Sequence, residues 1–277
     1  MKVFLLGVAV CLFVGTKGGS AFLLDSDCGT SNPDHAPTIG IYENPWMVKV
    51  LNKTYGFEFG GTLITSRFVL TAAHCISLEE MYVHLGDFLV EEPGPDCFSG
   101  LCVPRQYVIS VDMKIVHSAF DVGQKSSNIG LLRMKSGVVY SDYVRPICLL
   151  VDEHLPPGSS FNSTGWGHDL SANNQSGEIL LKAILYNTNR SHCTLKYGKH
   201  ADQSEICVGS NTVDTCKWRL GNLLSAEFAY GGKTLNFQIG LASYGSSKCS
   251  TSGALLVYTN VTHYTPWIVD TITRLSN

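Results

Sequence analysis

Residues 62–75 read Thr-Leu-Ile-Thr-Ser-Arg-Phe-Val-Leu-Thr-Ala-Ala-His-Cys, a β-favouring run from Thr62 to Leu70 that leads into a segment with a histidine and a cysteine. Similar short runs recur along the chain and are separated by turn residues. This spacing predicts an all-β sandwich or barrel rather than alternating βαβ units. The other runs are Trp46–Leu51, Met81–Leu85, Tyr107–His117, Ile129–Met134, Gly158–Thr164, Leu180–Asn187, Leu235–Tyr244 and Ala254–Asn260.

The segment Tyr264–Leu275 has a different pattern. Thr265-Pro266 is a helix-start signal, and the apolar residues that follow, including Ile268 and Ile272, keep helical spacing. We therefore expect one closing helix at the end of an otherwise β-rich chain.

The bulk composition is typical of a folded protein. Of 277 residues, 44% are hydrophobic and 16% are charged, which is enough apolar material for one large domain or two small ones. The net charge of −3 gives no electrostatic reason to expect a nucleic-acid partner. Residues 1–21 read as a secretory signal peptide, with Lys2 before a short apolar run and Gly19-Ser20-Ala21 as the cleavage site. We expect a secreted protein without a membrane anchor, because that run is too short to cross a bilayer.

Cysteines and N-glycosylation sequons fit the secretory pathway. The chain has 10 cysteines, and removal of Cys11 with the signal peptide leaves 10 − 1 = 9, an odd number that implies a free thiol or an intermolecular bridge. Five Asn-X-Ser/Thr sequons are candidate glycosylation sites, of which Asn162 lies close to predicted strands. They are Asn52, Asn162, Asn174, Asn189 and Asn260.

Six short motifs occur in the order of the chymotrypsin-like serine proteases, and the chain resembles that family over about residues 39–275. Asp96-Cys97…Cys102 and Val139–Tyr143 look like the arthropod members. The resemblance implies two six-stranded antiparallel β-barrels with a C-terminal helix, and a site between the barrels. Together with the signal peptide (1–21), it leaves a short N-terminal segment (22–37) and a trypsin-like domain (38–277). The motifs are Gly60–Ile64, Thr71–Cys75, Val144–Leu149, Thr164–Gly167, Asp214–Cys216 and Val257–Val261.

The resemblance places altered residues at the catalytic positions. His74 matches the base, Asn128 occupies the place of the aspartate, and Leu220 that of the nucleophilic serine. Leucine has no atom that can attack a carbonyl, and asparagine can donate to the imidazole and favour the wrong tautomer. Trp218 stands where the oxyanion hole uses a glycine. Ser225, the nearest serine, reads as an ordinary strand residue. Together these changes predict an inactive homologue, with His74 left in a packed cleft.

The pocket and activation positions are altered as well. Asp214 matches the aspartate at the base of the specificity pocket, where it either binds a cation or pairs with Arg219 as a buried leftover. Leu256 replaces a glycine of the pocket wall. No Lys or Arg occurs between Lys17 and Lys49, and Arg219 replaces the aspartate that receives the new amino terminus in the family. The resemblance therefore implies that activation by a trypsin-like cut is lost.

The resemblance also implies four disulfides and one unpaired cysteine. Cys75 is expected to be a reduced, buried thiol, because Phe59 stands in place of its partner and its ring can fill the space of the lost bridge. The rival expectation is an intermolecular bridge that forms a covalent dimer. The implied bridges are Cys28–Cys148, Cys97–Cys102, Cys193–Cys207 and Cys216–Cys249.

These residues predict a secreted, non-catalytic serine protease homologue. We expect it to bind or regulate an extracellular protein, such as a protease or its zymogen, in a protease cascade. An immune cascade is one example. Two alternatives stay open: a weak or altered hydrolase of the same family, and a secreted structural or storage protein. We expect no cofactor, since the nine histidines are scattered and form no metal-binding pattern. We expect a monomer that binds neither nucleic acid nor membrane.

Overall fold

The computed structural model describes residues 22–32, 41–52, 58–86, 96–98, 101–103, 106–151, 160–168, 178–210, 222–245 and 254–276. The first ten strands are β1 Phe22–Leu23, β2 Met47–Asn52, β3 Glu58–Leu63, β4 Phe68–Thr71, β5 Met81–Leu85, β6 Asp96–Phe98, β7 Leu101–Val103, β8 Tyr107–Val116, β9 Gly130–Met134 and β10 Leu150–Val151. The remaining strands are β11 Ser160–His168, β12 Glu178–Asn187, β13 Glu205–Ser210, β14 Leu223–Tyr230, β15 Lys233–Gly245 and β16 Ala254–Asn260. The helices are α1 Arg190–Tyr197 and α2 Val261–Leu275, and a 3₁₀ turn covers Ala73–Cys75.

Most strands belong to two closed antiparallel barrels of six strands each. The N-terminal barrel has the order β2-β3-β4-β9-β8-β5, and the C-terminal barrel the order β11-β12-β13-β16-β15-β14. The predicted pair of six-stranded barrels and the helix at the C-terminal end are confirmed.

Three apolar clusters hold the barrels together. Val48 and Val50 on β2 point into the N-terminal barrel, and Phe237 lies inside the C-terminal barrel. Because side chains alternate along a strand, Met47 points the other way, into a third cluster that also contains Trp166 from the second barrel. Helix α2 closes this third cluster with Ile268 among others. The core therefore continues from one barrel to the other, and the two barrels meet along a packed interface.

The N-terminal segment lies along the connection between the barrels. Strand β1 pairs with β10, and a disulfide joins Cys28 to Cys148. Gly29 follows with a φ of +74°, and a Cβ at this position would lie 2.5 Å from the Cys148 sulfur. Glycine is required here because no other residue has both the backbone conformation and the space.

The predicted strand Thr62–Leu70 is wrong in one respect, because the chain turns within it. Strand β3 ends at Leu63 and β4 begins at Phe68, and the two pair as an antiparallel hairpin. The Thr65 hydroxyl accepts the backbone N–H groups of Arg67 and Phe68. This side-chain bond supplies the turn that the β-favouring composition of the run concealed.

The prediction of a single helix is also incomplete. Helix α1 has a mostly polar sequence and buries only Cys193, so it lacks the apolar stripe by which a helix is recognised. The Asn189 side chain caps its start by accepting the Ser191 N–H, and Gly198 ends it in the left-handed conformation. Helix α2 begins at Val261, three residues before the predicted start, because Val261 and Tyr264 pack into the cluster between the barrels. No helix in the described ranges has both the length and the apolar composition to cross a bilayer.

Candidate functional site

Two of the residues predicted to form the site, His74 and Asn128, lie together where the two barrels touch. His74 lies in the 3₁₀ turn that follows β4, and Asn128 lies just before β9, so both come from the N-terminal barrel. The C-terminal barrel contributes Ser243 on β15 and Thr259 on β16. The Thr259 hydroxyl donates to the backbone carbonyl of Asn128 over 3.0 Å. Asn128 is fully buried and held by both barrels.

Three contacts orient the amide of Asn128. The backbone N–H of His74 donates to Oδ1 over 3.1 Å, and Nδ2 donates to the Ser243 hydroxyl over 2.8 Å. A backbone N–H can only donate, so the atom that faces it is the amide oxygen. The third contact is to the His74 ring, whose Nδ1 lies 3.0 Å from Oδ1 and 2.8 Å from Nδ2.

This arrangement limits what His74 can do as a base. When Nδ1 accepts from Nδ2, the ring proton sits on Nε2, and that nitrogen cannot take a proton from a nucleophile. When Nδ1 instead donates to Oδ1, the partner is a neutral amide, which stabilises an imidazolium far less than a carboxylate does. The contact thus joins the two residues that the sequence predicted for the site, His74 and Asn128. It lacks the negative charge of a carboxylate, which would stabilise a protonated histidine.

The environment of His74 also disfavours its charged form. Burial lowers the pKa of the imidazole below its usual value, and the charge of Lys125 lowers it further, against the hydrogen bond to Asn128, which raises it. Nε2 is buried and has no hydrogen-bond partner within the described residues. His74 is therefore a neutral histidine in a site that provides no counter-charge from the described groups.

Cys75 lies beside His74 and is a free, buried cysteine. Phe59 packs against the inter-barrel cluster that contains Cys75, and its ring stands edge-on to the His74 imidazole with centroids 6.2 Å apart. Burial raises the pKa of the Cys75 thiol far above its usual value, so the thiol stays protonated. The aromatic ring thus occupies the neighbourhood where the family resemblance implies a second cysteine.

Leu256 narrows the region where the family resemblance implies a specificity pocket. Its Cδ2 lies so close to Gly245 on the neighbouring strand that a Cβ on residue 245 would be 2.3 Å away. Gly245 directly follows Tyr244, which is next to Ser243 of the site. A leucine side chain therefore lies against the strand where a substrate side chain would need open space.

A contact between the barrels borders the same region. The ammonium group of Lys199, from the loop after α1, donates to the carbonyl of Gly123 in the loop before Asn128 over 2.8 Å. It also lies 5.2 Å from the centre of the Tyr244 ring, which packs edge-on against Tyr197. The side chain of Lys199 therefore connects the two barrels beside the site.

Several residues predicted for the site lie outside the described residues. The structure does describe Asn222, which follows that part of the chain and is fully buried against Gly165. A Cβ on residue 165 would lie 2.0 Å from the Asn222 Cγ, so the chain after the predicted nucleophile position packs directly on β11. The residues outside are Asp214, Cys216, Trp218, Arg219, Leu220 and Cys249, together with Asn174 and the signal peptide 1–21.

The structure contains two of the implied disulfides, Cys28–Cys148 and Cys193–Cys207. Cys97 and Cys102 are directly opposite each other in the β6–β7 hairpin. Their side chains are not among those that the structure describes, so this third implied bridge stays a prediction. Within the described ranges, no group of three or more His, Cys, Asp or Glu side chains is arranged to hold a metal ion.

Sequence reasoning missed the residues that hold Asn128. Thr259 lies inside the motif Val257–Val261, and its position at a strand end next to the site could have pointed to it. Ser243 gives no such signal, because a serine in a long strand reads as an ordinary residue.

Comparison with known proteins gives consistent relatives. A family model described as Trypsin matches residues 37–268. The Spaetzle-processing enzyme of Drosophila melanogaster is 34% identical over 82% of this chain and 63% of that enzyme, so this chain spans less than two thirds of that relative. The crystal structure of the Drosophila clip serine protease Grass, of the Toll pathway, superposes with a TM-score of 0.71 and 27% identity over 89% of this chain and 75% of that one. Mouse neuropsin, a serine protease expressed in the limbic system, gives a TM-score of 0.65 and 26% identity over 82% and 94%.

Proposed function

Since this chain belongs to the trypsin family, we propose that it acts in an extracellular protease cascade as a binding or regulatory partner without peptidase activity. The likeness to arthropod serine proteases that the motifs indicate is confirmed, because insect proteases are among the relatives. The non-catalytic role and the secreted location are our inference. The location rests on the predicted signal peptide 1–21.

The observation that carries this proposal is the contact between His74 and Asn128. In the family mechanism a carboxylate accepts from Nδ1 and stabilises the imidazolium that forms when the histidine takes the serine proton. Asn128 makes the same contact with a neutral amide, whose orientation is set by the His74 N–H and the Ser243 hydroxyl. In the family's own proteases, the change from aspartate to asparagine costs about 10⁴ in turnover.

The residue at the nucleophile position supports the same conclusion from the sequence. Leu220 offers a hydrocarbon side chain where the mechanism requires a hydroxyl. A chain without a nucleophile forms no acyl-enzyme, whatever the state of its base. The two changes remove successive parts of one mechanism.

The contacts of Leu256 favour a binding role over an altered specificity. Leu256 lies against Gly245. Its apolar side chain narrows the region where trypsin-like members of the family bind the Lys or Arg side chain of a substrate. The loops around the cleft, such as the one bearing Lys199, remain available as recognition surfaces on a rigid scaffold. A partner would then contact the rim of the cleft rather than insert a side chain.

The role in a cascade is supported by the relatives. One is named for processing Spaetzle, and another is described as a protease of the Toll pathway. A non-catalytic member of the same fold offers loop surfaces on a rigid scaffold to which such proteins can bind.

A second candidate is a weak or altered hydrolase. The observation that favours it is the retained architecture, since His74 keeps its place between the barrels and the relatives are named as proteases.

The test is to incubate the purified, secreted chain with a serine-directed phosphonate probe and with Lys, Arg and aromatic peptide substrates, beside a matched His74→Ala variant. We expect the phosphonate probe to label neither protein. We also expect the same background turnover of the peptide substrates with the wild type and with His74→Ala. Turnover that is lost in His74→Ala would establish the hydrolase and overturn the proposal. Affinity purification from the body fluid of the source organism should then recover a protease or zymogen, and recovery of no cascade protein would contradict the binding role.

A further inference from the structure

We propose that Asn162 and Asn189 both carry N-linked glycans, and that these glycans cover an exposed apolar pair, Ile184 and Tyr186, on the outer face of the C-terminal barrel. The proposal rests on the secreted location given under the proposed function. It assigns modification sites among five sequons that look alike in the sequence.

The strand register places one sequon directly beside the apolar pair. Asn162 on β11 is opposite Ile184 on β12, and Ser160 is opposite Tyr186. Residues that are directly opposite on paired strands point to the same face, so Asn162 shares the outer face with both apolar side chains. Ile184 is 56% exposed and Tyr186 is 44% exposed, which is unusual for two large side chains at alternate positions of one strand.

The side chain of Asn162 is available for modification. It is partly exposed, and its amide makes no hydrogen bond within the described residues. Its backbone pairs with β12 and β14, and the Ser225 hydroxyl donates to its carbonyl rather than to its side chain. Asn162 lies within strand β11, and its side chain is partly exposed on the outer face.

Asn189 lies at the other end of the same apolar pair, just after β12 ends at Asn187. It is exposed and caps α1, with Oδ1 accepting the Ser191 N–H over 3.0 Å. A glycan is attached through Nδ2, which leaves Oδ1 free to keep this bond. The cap and the modification are therefore compatible, and Asn189 follows Tyr186 by three residues in the chain.

Asn52 shows what an incompatible sequon looks like. It is 7% exposed, and its Nδ2 donates to the Ser77 hydroxyl over 2.6 Å. A sugar on this nitrogen would have to displace buried neighbours and that hydrogen bond. We therefore expect Asn52 to be unmodified in the folded, secreted protein.

The chemistry is the transfer of an oligosaccharide from a lipid-linked diphosphate donor. A bond forms between Nδ2 of the asparagine and the anomeric carbon of N-acetylglucosamine, while the bond from that carbon to the lipid diphosphate breaks. Nδ2 loses one proton and retains the other. The apolar C–H face of the attached sugar can then lie on Tyr186 and Ile184 and remove their surface from water.

The test is to express the full chain, residues 1–277, in insect cells and to map glycopeptides of the secreted protein by mass spectrometry. We expect glycan on the peptides that contain Asn162 and Asn189, and none on Asn52. Asn162→Gln and Asn189→Gln should each lose one glycan mass from the intact protein, while the matched control Asn52→Gln should lose none. Side-chain oxidation footprinting should show Ile184 and Tyr186 more strongly labelled after enzymatic deglycosylation than before it.

An unmodified Asn162 or Asn189 peptide in the secreted protein, a glycan on Asn52, or unchanged labelling of the apolar pair would overturn the proposal. A second arm replaces residues 1–21 with a leader of known function. If only the chain with the replacement leader is secreted, the prediction that residues 1–21 are a signal peptide is wrong. Glycan occupancy at Asn162 and Asn189 in that secreted protein still tests the glycosylation proposal. Mapping in the unsubstituted sequence keeps the result independent of whether any variant folds.

Discussion

Replacing Glu205 with glutamine should make the protein more stable at alkaline pH and leave it almost unchanged at acidic pH. Glu205 begins β13 and is 6% exposed, close to the site through Tyr244, whose hydroxyl donates to Oε2 over 3.4 Å. Burial raises the pKa of this carboxyl from 4.5 to about 7, and the charge of Asp202 adds to the rise, while the Tyr244 hydrogen bond and Lys199 oppose it. The folded protein therefore binds the proton more tightly than the unfolded chain.

The sign and size of the effect follow from this difference. A carboxyl whose folded pKa is above its unfolded pKa stabilises the fold fully below pH 4.5, and that contribution is lost as the pH rises through about 7. A pKa difference of about 2.5 corresponds to about 3.4 kcal/mol at most. Water that reaches the edge of the carboxyl screens the interaction, so we expect about 1–3 kcal/mol.

The assay is urea unfolding of the wild type and Glu205→Gln at pH 4 and pH 8. The advantage of the variant should grow by about 1–3 kcal/mol between the two pH values. Glu227→Gln serves as the matched control, because Glu227 is an exposed carboxylate in the same barrel. If Glu205→Gln and Glu227→Gln change stability alike at both pH values, the reasoning about burial is refuted.

Three further predictions concern the site. Cys75 should react with a thiol reagent only after denaturation, because the cysteine is buried and burial raises the pKa of its thiol. A non-reducing gel should show a monomer. A dimer band that disappears in Cys75→Ser would contradict this. Leu256→Gly should clear the space beside Gly245 and allow the cation benzamidine to bind in calorimetry, as expected from the match of Asp214 to the pocket-base aspartate of the family, at a stability cost of about 2 kcal/mol; equal binding by the wild type would refute it. Leu220→Ser alone should restore no turnover, because Asn128 and Trp218 remain; burst kinetics with an ester substrate in that variant would show a competent site.

Much of the fold could be predicted because its signals are local. Alternating apolar runs and turn residues indicate strands within a few residues, and the Met81–Leu85 and Ala254–Asn260 strands have the predicted bounds. The errors arose where a tertiary or side-chain contact outweighed the local pattern. Thr65 turns the chain inside an apparently continuous run, and packing between the barrels extends α2 back to Val261.

The sequence by itself determined which chemical groups this protein has. A leucine at position 220, an asparagine at 128 and a cysteine at 75 are matters of residue identity, and these groups are present in any fold. Their consequences could be stated from the sequence because the family resemblance assigns a role to each position. The family itself followed from short motifs in a fixed order.

Only the tertiary structure determined how those groups are arranged. The amide of Asn128 is oriented by Ser243, which is 115 residues away in the chain, and no local pattern records such a contact. The same holds for Lys199 and Gly123, which are 76 residues apart, and for Asn52 and Asn162, whose sequons look alike but whose burial differs. Burial, hydrogen-bond partners and pKa shifts depend on what the folded chain brings within a few ångströms, and that neighbourhood exists only once both barrels have closed.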